Sequence, residues 1–173
     1  MILAARVQRA LERLYRIDPL HDVADFIAPA NEGEREVLLV KEEPDGIRIS
    51  LRLPEATGLD GICQVIEGVS HFVYLAERAR RDHPMTQLEL EMQAEVDKWV
   101  VLADSIGSSG LCERLFENVR FANDHERYRV ANSCAHRFVR GLERKLHRVE
   151  DLRHALRRFF WSNQEEKIRL AAA

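Results

Sequence analysis

One predicted helix carries a line of four polar residues, of which the first two are of types that could bind a metal ion. Glu67, His71, Tyr74 and Arg78 follow one another at intervals of four, three and four residues. At about 100° per residue they lie along one line of a helix. The broad face opposite this line is apolar and contains Ile62, Val65, Ile66, Val69, Phe72, Val73 and Ala76.

The next predicted helix carries a second polar line, formed by Glu91, Glu95 and Lys98. Apolar residues flank it on both sides: Leu88, Met92 and Trp99 on one, and Leu90, Ala94 and Val101 on the other. Polar residues enclosed in this way tend to face an interface or a core. The pattern therefore indicates that the second line is directed towards a neighbouring helix.

A short link, residues 82–85, joins the two predicted helices, which should therefore pack antiparallel. Counting outward from the link places Arg78 level with about 89–91 and His71 level with about 95–97, so the nearest acids of the second line are Glu91 and Glu95. If the two polar lines face each other, we expect these two pairs to meet.

Two interpretations of the facing lines stay open. In the first, Glu67, His71, Glu91 and Glu95 bind iron, manganese or zinc, since oxygen and imidazole ligands in a helical bundle suit these metals. In the second, these residues form a polar network with Tyr74, Arg78 and Lys98, because buried ionisable groups must be paired. The spacing favours the network. Di-iron bundles place a histidine three residues after a glutamate, whereas His71 follows Glu67 by four, and the residue three after Glu95 is Lys98.

The C-terminal part of the chain carries a basic stripe at helical spacing, formed by Arg137, Arg140, Arg144 and Arg148. Such a stripe could contact phosphates or an acidic protein surface. Trp161 ends a run of three aromatic residues that cannot all face one core, which makes it a candidate anchor for a partner. An acidic chain with a pI of about 6.2 argues against a dedicated nucleic-acid-binding protein.

The elements that position these residues are mostly helical. We expect an N-terminal helix over 1–17 and one or two helical turns within 21–28. Alternating apolar residues around Pro44-Asp45-Gly46 predict a β-hairpin with strands 37–42 and 47–53. The remaining segments predict helices over 60–81, 86–104, 111–119, 124–148 and 149–160, and a last one begun by a capping box at Ser162.

Composition excludes several classes of protein. The 173 residues are 46% hydrophobic and 32% charged, which is typical of a globular chain with a sizeable core. No run approaches the roughly 20 apolar residues of a membrane span, and Arg6 and Arg9 interrupt what would be a signal peptide. Cys63, Cys112 and Cys134 have no metal-binding or disulfide spacing, which indicates a reducing cytoplasm.

Charge is unevenly distributed along the chain. Residues 1–110 carry 12 basic and 20 acidic side chains, while residues 111–173 carry 14 basic and 9 acidic ones. Segments of opposite net charge can attract each other or bind partners of opposite charge.

Together these patterns predict a predominantly helical α+β fold in one domain, 1–173. Its sub-regions are a helix plus β-hairpin (1–58) and a bundle of about five helices (59–173). The leading functional hypothesis is a non-enzymatic interaction or regulatory protein, cytoplasmic and bacterial in size, with a protein partner or a second copy of itself and no cofactor. The alternatives are a metal-dependent helical-bundle enzyme and a nucleic-acid-binding protein that uses the basic stripe.

Overall fold

A computed structural model describes residues 2–44, 46–119, 126–144 and 148–173. It confirms the predominantly helical α+β fold, while the single-domain organisation stays a prediction. The α-helices of the described residues are α1 (Ile2–Tyr15), α2 (Gly58–Arg80), α3 (Gln87–Ile106), α4 (Glu126–Glu143), α5 (Val149–Trp161) and α6 (Gln164–Ala172). The strands are β1 (Ile27–Pro29), β2 (Val37–Glu43) and β3 (Gly46–Leu53). Within these ranges, no helix combines the length and the hydropathy that crossing a bilayer requires.

The predicted β-hairpin is confirmed. Strands β2 and β3 pair antiparallel, from Val37 opposite Arg52 to Glu43 opposite Gly46. Asp45 of the predicted turn lies outside the described residues. Leu51, on the alternating apolar face of β3, is fully buried, because this end of the hairpin packs against α2.

The segment 21–28 contains the expected helical turn, but it also begins a strand that the sequence did not indicate. Only Val23–Phe26 is helical, as a short 3-10 helix that Asp22 caps. The chain then enters β1, which pairs parallel with β3 and places Ile27 opposite Leu51. The sheet order is therefore β1-β3-β2. A strand of three residues is too short to show a period of two, so only its pairing with β3 defines it.

Helices α2 and α3 form the centre of the fold. Thr86 begins α3 with a capping box, in which its Oγ1 accepts a hydrogen bond from the Glu89 amide (3.1 Å) and the Glu89 carboxylate accepts one from the Thr86 amide (2.8 Å). On α2, Gly68 lets the sheet approach closely, since a Cβ there would lie 2.7 Å from Cδ2 of Leu53. Trp99 of α3 is 1% exposed and forms part of the core.

The C-terminal elements differ from expectation in detail. Within 111–119, residues Glu113–Glu117 form one π-helical turn. The helix predicted over 124–148 is described as α4, and positions 124, 125 and 145–147 lie outside the described residues. The capping box predicted at Ser162 is wrong. Asn163 caps α6 by accepting a hydrogen bond from the Glu166 amide (3.0 Å), while the Ser162 hydroxyl donates back to the Arg158 carbonyl of α5 (2.7 Å).

Candidate metal centre

The structure brings the polar lines of α2 and α3 together. His71 Nε2 lies 3.6 Å from a carboxylate oxygen of Glu91, and Lys98 Nζ donates to Glu67 at 3.0 Å. The partner of His71 differs from the one expected. Because Lys98 also donates a hydrogen bond to Glu95 (2.9 Å), His71 faces Glu91 rather than Glu95.

Glu67, His71 and Glu91 form the one group of three or more potential metal ligands found among the described residues. We refer to them as the trio. One ligand atom from each residue lies within 4.8 Å of the others, and the residues are 8%, 5% and 7% exposed, respectively. Helix α2 supplies two members one turn apart, and α3 supplies the third.

Glu36 joins this centre from outside the helices, and sequence reasoning missed it. Its carboxylate oxygen Oε2 lies 3.8 Å from Nδ1 of His71, on the opposite side of the imidazole ring from Glu91. The Glu36 amide also donates to the side chain of Gln64 on α2 (3.2 Å). The residue directly precedes β2, so no helical periodicity could have indicated it.

Four buried atoms of the centre have no hydrogen-bond partner: His71 Nε2, Glu36 Oε2, Glu95 Oε2 and Arg127 Nε. For the first two, the separations from the nearest charged groups, 3.6 and 3.8 Å, exceed the length of a hydrogen bond. Buried polar groups are nearly always paired, so each such atom needs an explanation, which can be an ion.

The acidic groups outnumber the cations. Three carboxylates, Glu36, Glu67 and Glu91, lie near the imidazole, and a fourth, Glu95, is linked to Glu67 through Lys98. Two side-chain cations, Lys98 and Arg127, contact these acids. Arg127 of α4 lies 3.7 Å from Glu91 and was also missed by sequence reasoning. Arg35 acts on Glu67 from a distance, but its side chain is 66% exposed and therefore screened by solvent.

The pKa values reflect this imbalance. Burial raises the pKa of Glu36 and of Glu95. Burial also acts to raise the pKa of Glu67, but Lys98 and His71 outweigh it and lower that pKa. For His71 burial by itself lowers the pKa, yet Glu36 and Glu91 raise it to about 10. Without a metal, the carboxylates therefore hold a proton on the imidazole at neutral pH.

Tyr74 and Arg78 lie further along α2, away from the trio. Arg78 donates to the Tyr74 hydroxyl (2.8 Å) and to the Ser162 carbonyl (3.0 Å), and lies 4.0 Å from Glu89. Glu89 lies within the range 89–91 that counting predicts for Arg78, although the acid expected there was Glu91. The contact with Ser162, the C-cap of α5, connects α2 to the junction of α5 and α6. The polar network as a whole stays a prediction.

A second buried polar group lies on the other side of α3 and was not predicted. Asp97 accepts hydrogen bonds from Tyr15, from Ser70 (2.6 Å) and from Gln93 (2.9 Å). Burial raises the pKa of Asp97 to about 6, against these hydrogen bonds. Lys167 of α6 donates to Gln93 (2.7 Å). These contacts pair polar groups among α1, α2, α3 and α6, a structural role.

The basic stripe is partly neutralised by neighbouring acids. Arg140 donates to Glu117 (2.7 Å) and lies 3.5 Å from Glu143, and Arg148 lies 3.6 Å from Asp151. Arg137 donates weakly to the Cys134 sulfur (3.5 Å), and Arg144 follows the last residue of α4. Nucleic-acid binding through this stripe stays a prediction.

Trp161, the candidate anchor, is half-buried. The guanidinium of Arg81 lies 4.2 Å from the centre of its ring, and the Phe160 ring packs edge-on against it. These contacts fix the tryptophan at the end of α5. Its role as an anchor for a partner stays a prediction.

Comparison of the chain with protein-family models, curated proteins and solved structures finds no match.

Proposed function

We propose that this protein binds one divalent transition-metal ion through Glu67, His71 and Glu91, and that the ion has a structural or regulatory role. The observation that carries the proposal is the buried, unpartnered Nε2 of His71, which lies 3.6 Å from Glu91 within a trio whose ligand atoms are all within 4.8 Å of one another.

The separations support an ion better than direct pairing. Metal bonds of about 2.1 Å in tetrahedral geometry place neighbouring ligand atoms about 3.4 Å apart. The His71–Glu91 separation of 3.6 Å is close to that value and too long for a hydrogen bond. Two residues that only paired with each other would be expected to approach to about 2.8 Å.

The charge balance also supports a divalent ion. In the metal-free centre, four ionised carboxylates, the protonated imidazole and the cations Lys98 and Arg127 leave a net charge of −1, and loss of the imidazole proton on metal binding would make it −2. Uncompensated buried charge is strongly destabilising. A divalent ion at the trio would neutralise it.

The ligand set indicates the class of metal. One imidazole with two carboxylates suits zinc, iron or manganese, whereas calcium and magnesium prefer oxygen ligands alone. Three protein ligands leave a tetrahedral ion one open position, as in catalytic sites, but the burial of all three residues restricts the access of a substrate to that position and favours a structural or regulatory ion. Two described cavities, of about 300 and 420 Å³, are lined by other residues.

Native mass spectrometry tests the proposal. The untagged protein is purified without chelator, supplied with zinc chloride, freed of excess metal and weighed under native conditions. We expect one zinc per chain. His71→Gln and Glu91→Gln should each weaken zinc binding by more than about 100-fold, since they remove ligands and even indirect supports of a metal contribute 10–100-fold.

Glu95→Gln is the matched control for these variants. Glu95 lies on the same helix as Glu91 and is similarly enclosed, but Lys98 holds its carboxylate and it is not in the trio. This variant should keep its zinc. A wild-type protein that binds no zinc, or a His71→Gln variant that binds it equally well, would refute the proposal.

A second candidate function, binding to another protein, is favoured by the hairpin. Strand β2 is an edge of the sheet, and its residues Leu39 and Val40 are 42% and 49% exposed. An apolar edge strand offers unpaired backbone groups to an added strand. If it mediates contact with a second copy, Leu39→Lys should convert a dimer into a monomer in the same native mass spectra.

The cysteines support the cytoplasmic location proposed for this protein. Cys63, Cys112 and Cys134 are all free thiols, and unpaired cysteines are typical of a reducing compartment.

A further inference from the structure

The segment before β2 reaches the metal centre at the imidazole nitrogen that faces away from Glu91. Glu36 Oε2 lies 3.8 Å from His71 Nδ1, while Nε2 faces Glu91 at 3.6 Å. This carboxylate oxygen is buried and has no hydrogen-bond partner. The imidazole therefore lies between two carboxylates that approach opposite nitrogens.

An imidazole binds a metal through one nitrogen only and retains its proton on the other. Coordination through Nε2, the nitrogen nearer to Glu91, leaves a proton on Nδ1 that points towards Glu36. Carboxylates in this position fix the tautomer and the ring orientation of metal-bound histidines.

We propose that Glu36 is a positioning residue that orients His71 for the metal, and that the metal thereby clamps the β-hairpin to helix α2. The inference rests on the proposed metal binding and adds what the ion does: it regulates how firmly the hairpin is held.

The contacts around Glu36 connect the centre to the hairpin. Glu36 is followed directly by β2, and its amide donates to Gln64 on α2 (3.2 Å). One turn further along α2, the missing side chain at Gly68 leaves room for Glu36 and for β3. A Cβ there would lie 3.6 Å from Glu36 Oε2 and 3.0 Å from Leu51 Cδ1. The contact that orients the imidazole and the contacts that dock the sheet therefore lie on the same face of α2.

This coupling has a thermodynamic consequence. If the metal binds more tightly when the hairpin is docked, then docking is more favourable when the metal is bound, by the same factor. Zinc should consequently slow the opening of β2 and β3, although neither strand contains a proposed ligand.

Hydrogen–deuterium exchange with and without zinc chloride tests this inference on the full chain. We expect backbone amides of β2 and β3 to exchange at least 10-fold more slowly with zinc. Glu36→Leu, which removes the acceptor, should weaken zinc binding by about 10–100-fold and abolish the protection of the strands. Glu36→Gln keeps an acceptor oxygen and should therefore retain much of the zinc affinity and of the strand protection. If only the negative charge of Glu36 mattered, Glu36→Gln would lose both.

Glu34→Gln is the matched control. Glu34 lies two residues earlier and is half-buried, and its carboxylate accepts from Arg52 (3.2 Å) and from Asn31. Because these contacts do not involve the trio, its loss should change neither zinc affinity nor the zinc-dependent protection.

The outcomes separate the two proposals. If zinc binds but protects only α2 and α3, and Glu36→Leu binds zinc as wild type does, the clamp is refuted while metal binding stands. If the wild type binds no zinc, both are refuted. If Glu36→Leu fails to fold, the zinc-dependent protection of β2 and β3 is compared between Glu36→Gln and wild type. Complete loss of that protection in Glu36→Gln would refute the proposed role of Glu36 as a hydrogen-bond acceptor.

Discussion

Replacement of Lys98 by methionine tests the charge argument at the centre. The Lys98 ammonium donates to Glu67 at 3.0 Å and to Glu95 at 2.9 Å, and the three side chains are only 11–13% exposed. At an effective dielectric constant of about 20, each pair has a Coulomb attraction of about 5.5 kcal/mol. Desolvation of the charges offsets part of this attraction. Removal of one partner from a buried ion pair is expected to cost about 3–5 kcal/mol.

Urea unfolding at pH 7 in the presence of EDTA measures this loss directly. We expect the free energy of unfolding of Lys98→Met to be about 3–5 kcal/mol below wild type. With zinc the difference should shrink, because an ion at the trio supplies positive charge beside Glu67. Lys41→Met is the control. Lys41 is a lysine whose side chain is 76% exposed, so its loss should change stability by less than about 0.5 kcal/mol.

Two results would refute the reasoning. If Lys98→Met in EDTA lost less than about 1 kcal/mol, the value typical of a surface pair, Lys98 would not be the counter-charge of the centre. If zinc stabilised the wild type and Lys98→Met equally, the ion would not be compensating the charge of Glu67, the carboxylate that Lys98 contacts.

Three further predictions concern pH, packing and capping. In metal-free protein, burial lowers the pKa of His71 but Glu36 and Glu91 raise it to about 10. The stability advantage of wild type over His71→Gln should therefore be full below pH 6.5 and fade towards pH 10 in denaturation experiments; an advantage that grows with pH would contradict this. Gly68→Ala should lower the free energy of unfolding by about 1–2 kcal/mol and the thermal midpoint with it, since its Cβ would lie 2.7 Å from a leucine of β3. Gly141→Ala, where the nearest atom is 3.9 Å away, should raise stability by up to about 1 kcal/mol, and the opposite order would contradict the packing. In urea unfolding, Asn163→Ala should lower the free energy of unfolding by about 1 kcal/mol and Ser162→Ala by less than half of that, because Asn163 is the N-cap of α6. Equal losses would contradict this assignment of the N-cap.

Much of the fold follows from periodicity that the sequence shows. Alternation of apolar residues over 47–53 predicted the hairpin, and the long apolar face around Ile66 predicted α2 within a few residues of its observed bounds. Strand β1 could not be found in this way, because three residues show no period. The cap of α6 was misplaced by one residue, since Ser162 and Asn163 are both good caps and the end of α5 decides between them.

The centre was predictable only where it lies on regular helices. The lines that contain Glu67, His71 and Glu91 follow from a period of 3.6, and a short link predicts that they meet. The periodicity did not indicate which acid faces His71. Lys98 forms a hydrogen bond with Glu95, so the acid next to His71 is Glu91.

The sequence by itself determined the helix faces, the hairpin and the presence of buried acids in α2 and α3, since these depend on spacing within one element. Tertiary structure alone decided that Glu36 and Arg127 join them. These two residues lie 35 and 56 positions from His71 along the chain, and only the docking of the sheet and of α4 brings them to it. Contacts between distant segments leave no local period in a sequence, because they depend on how whole elements pack.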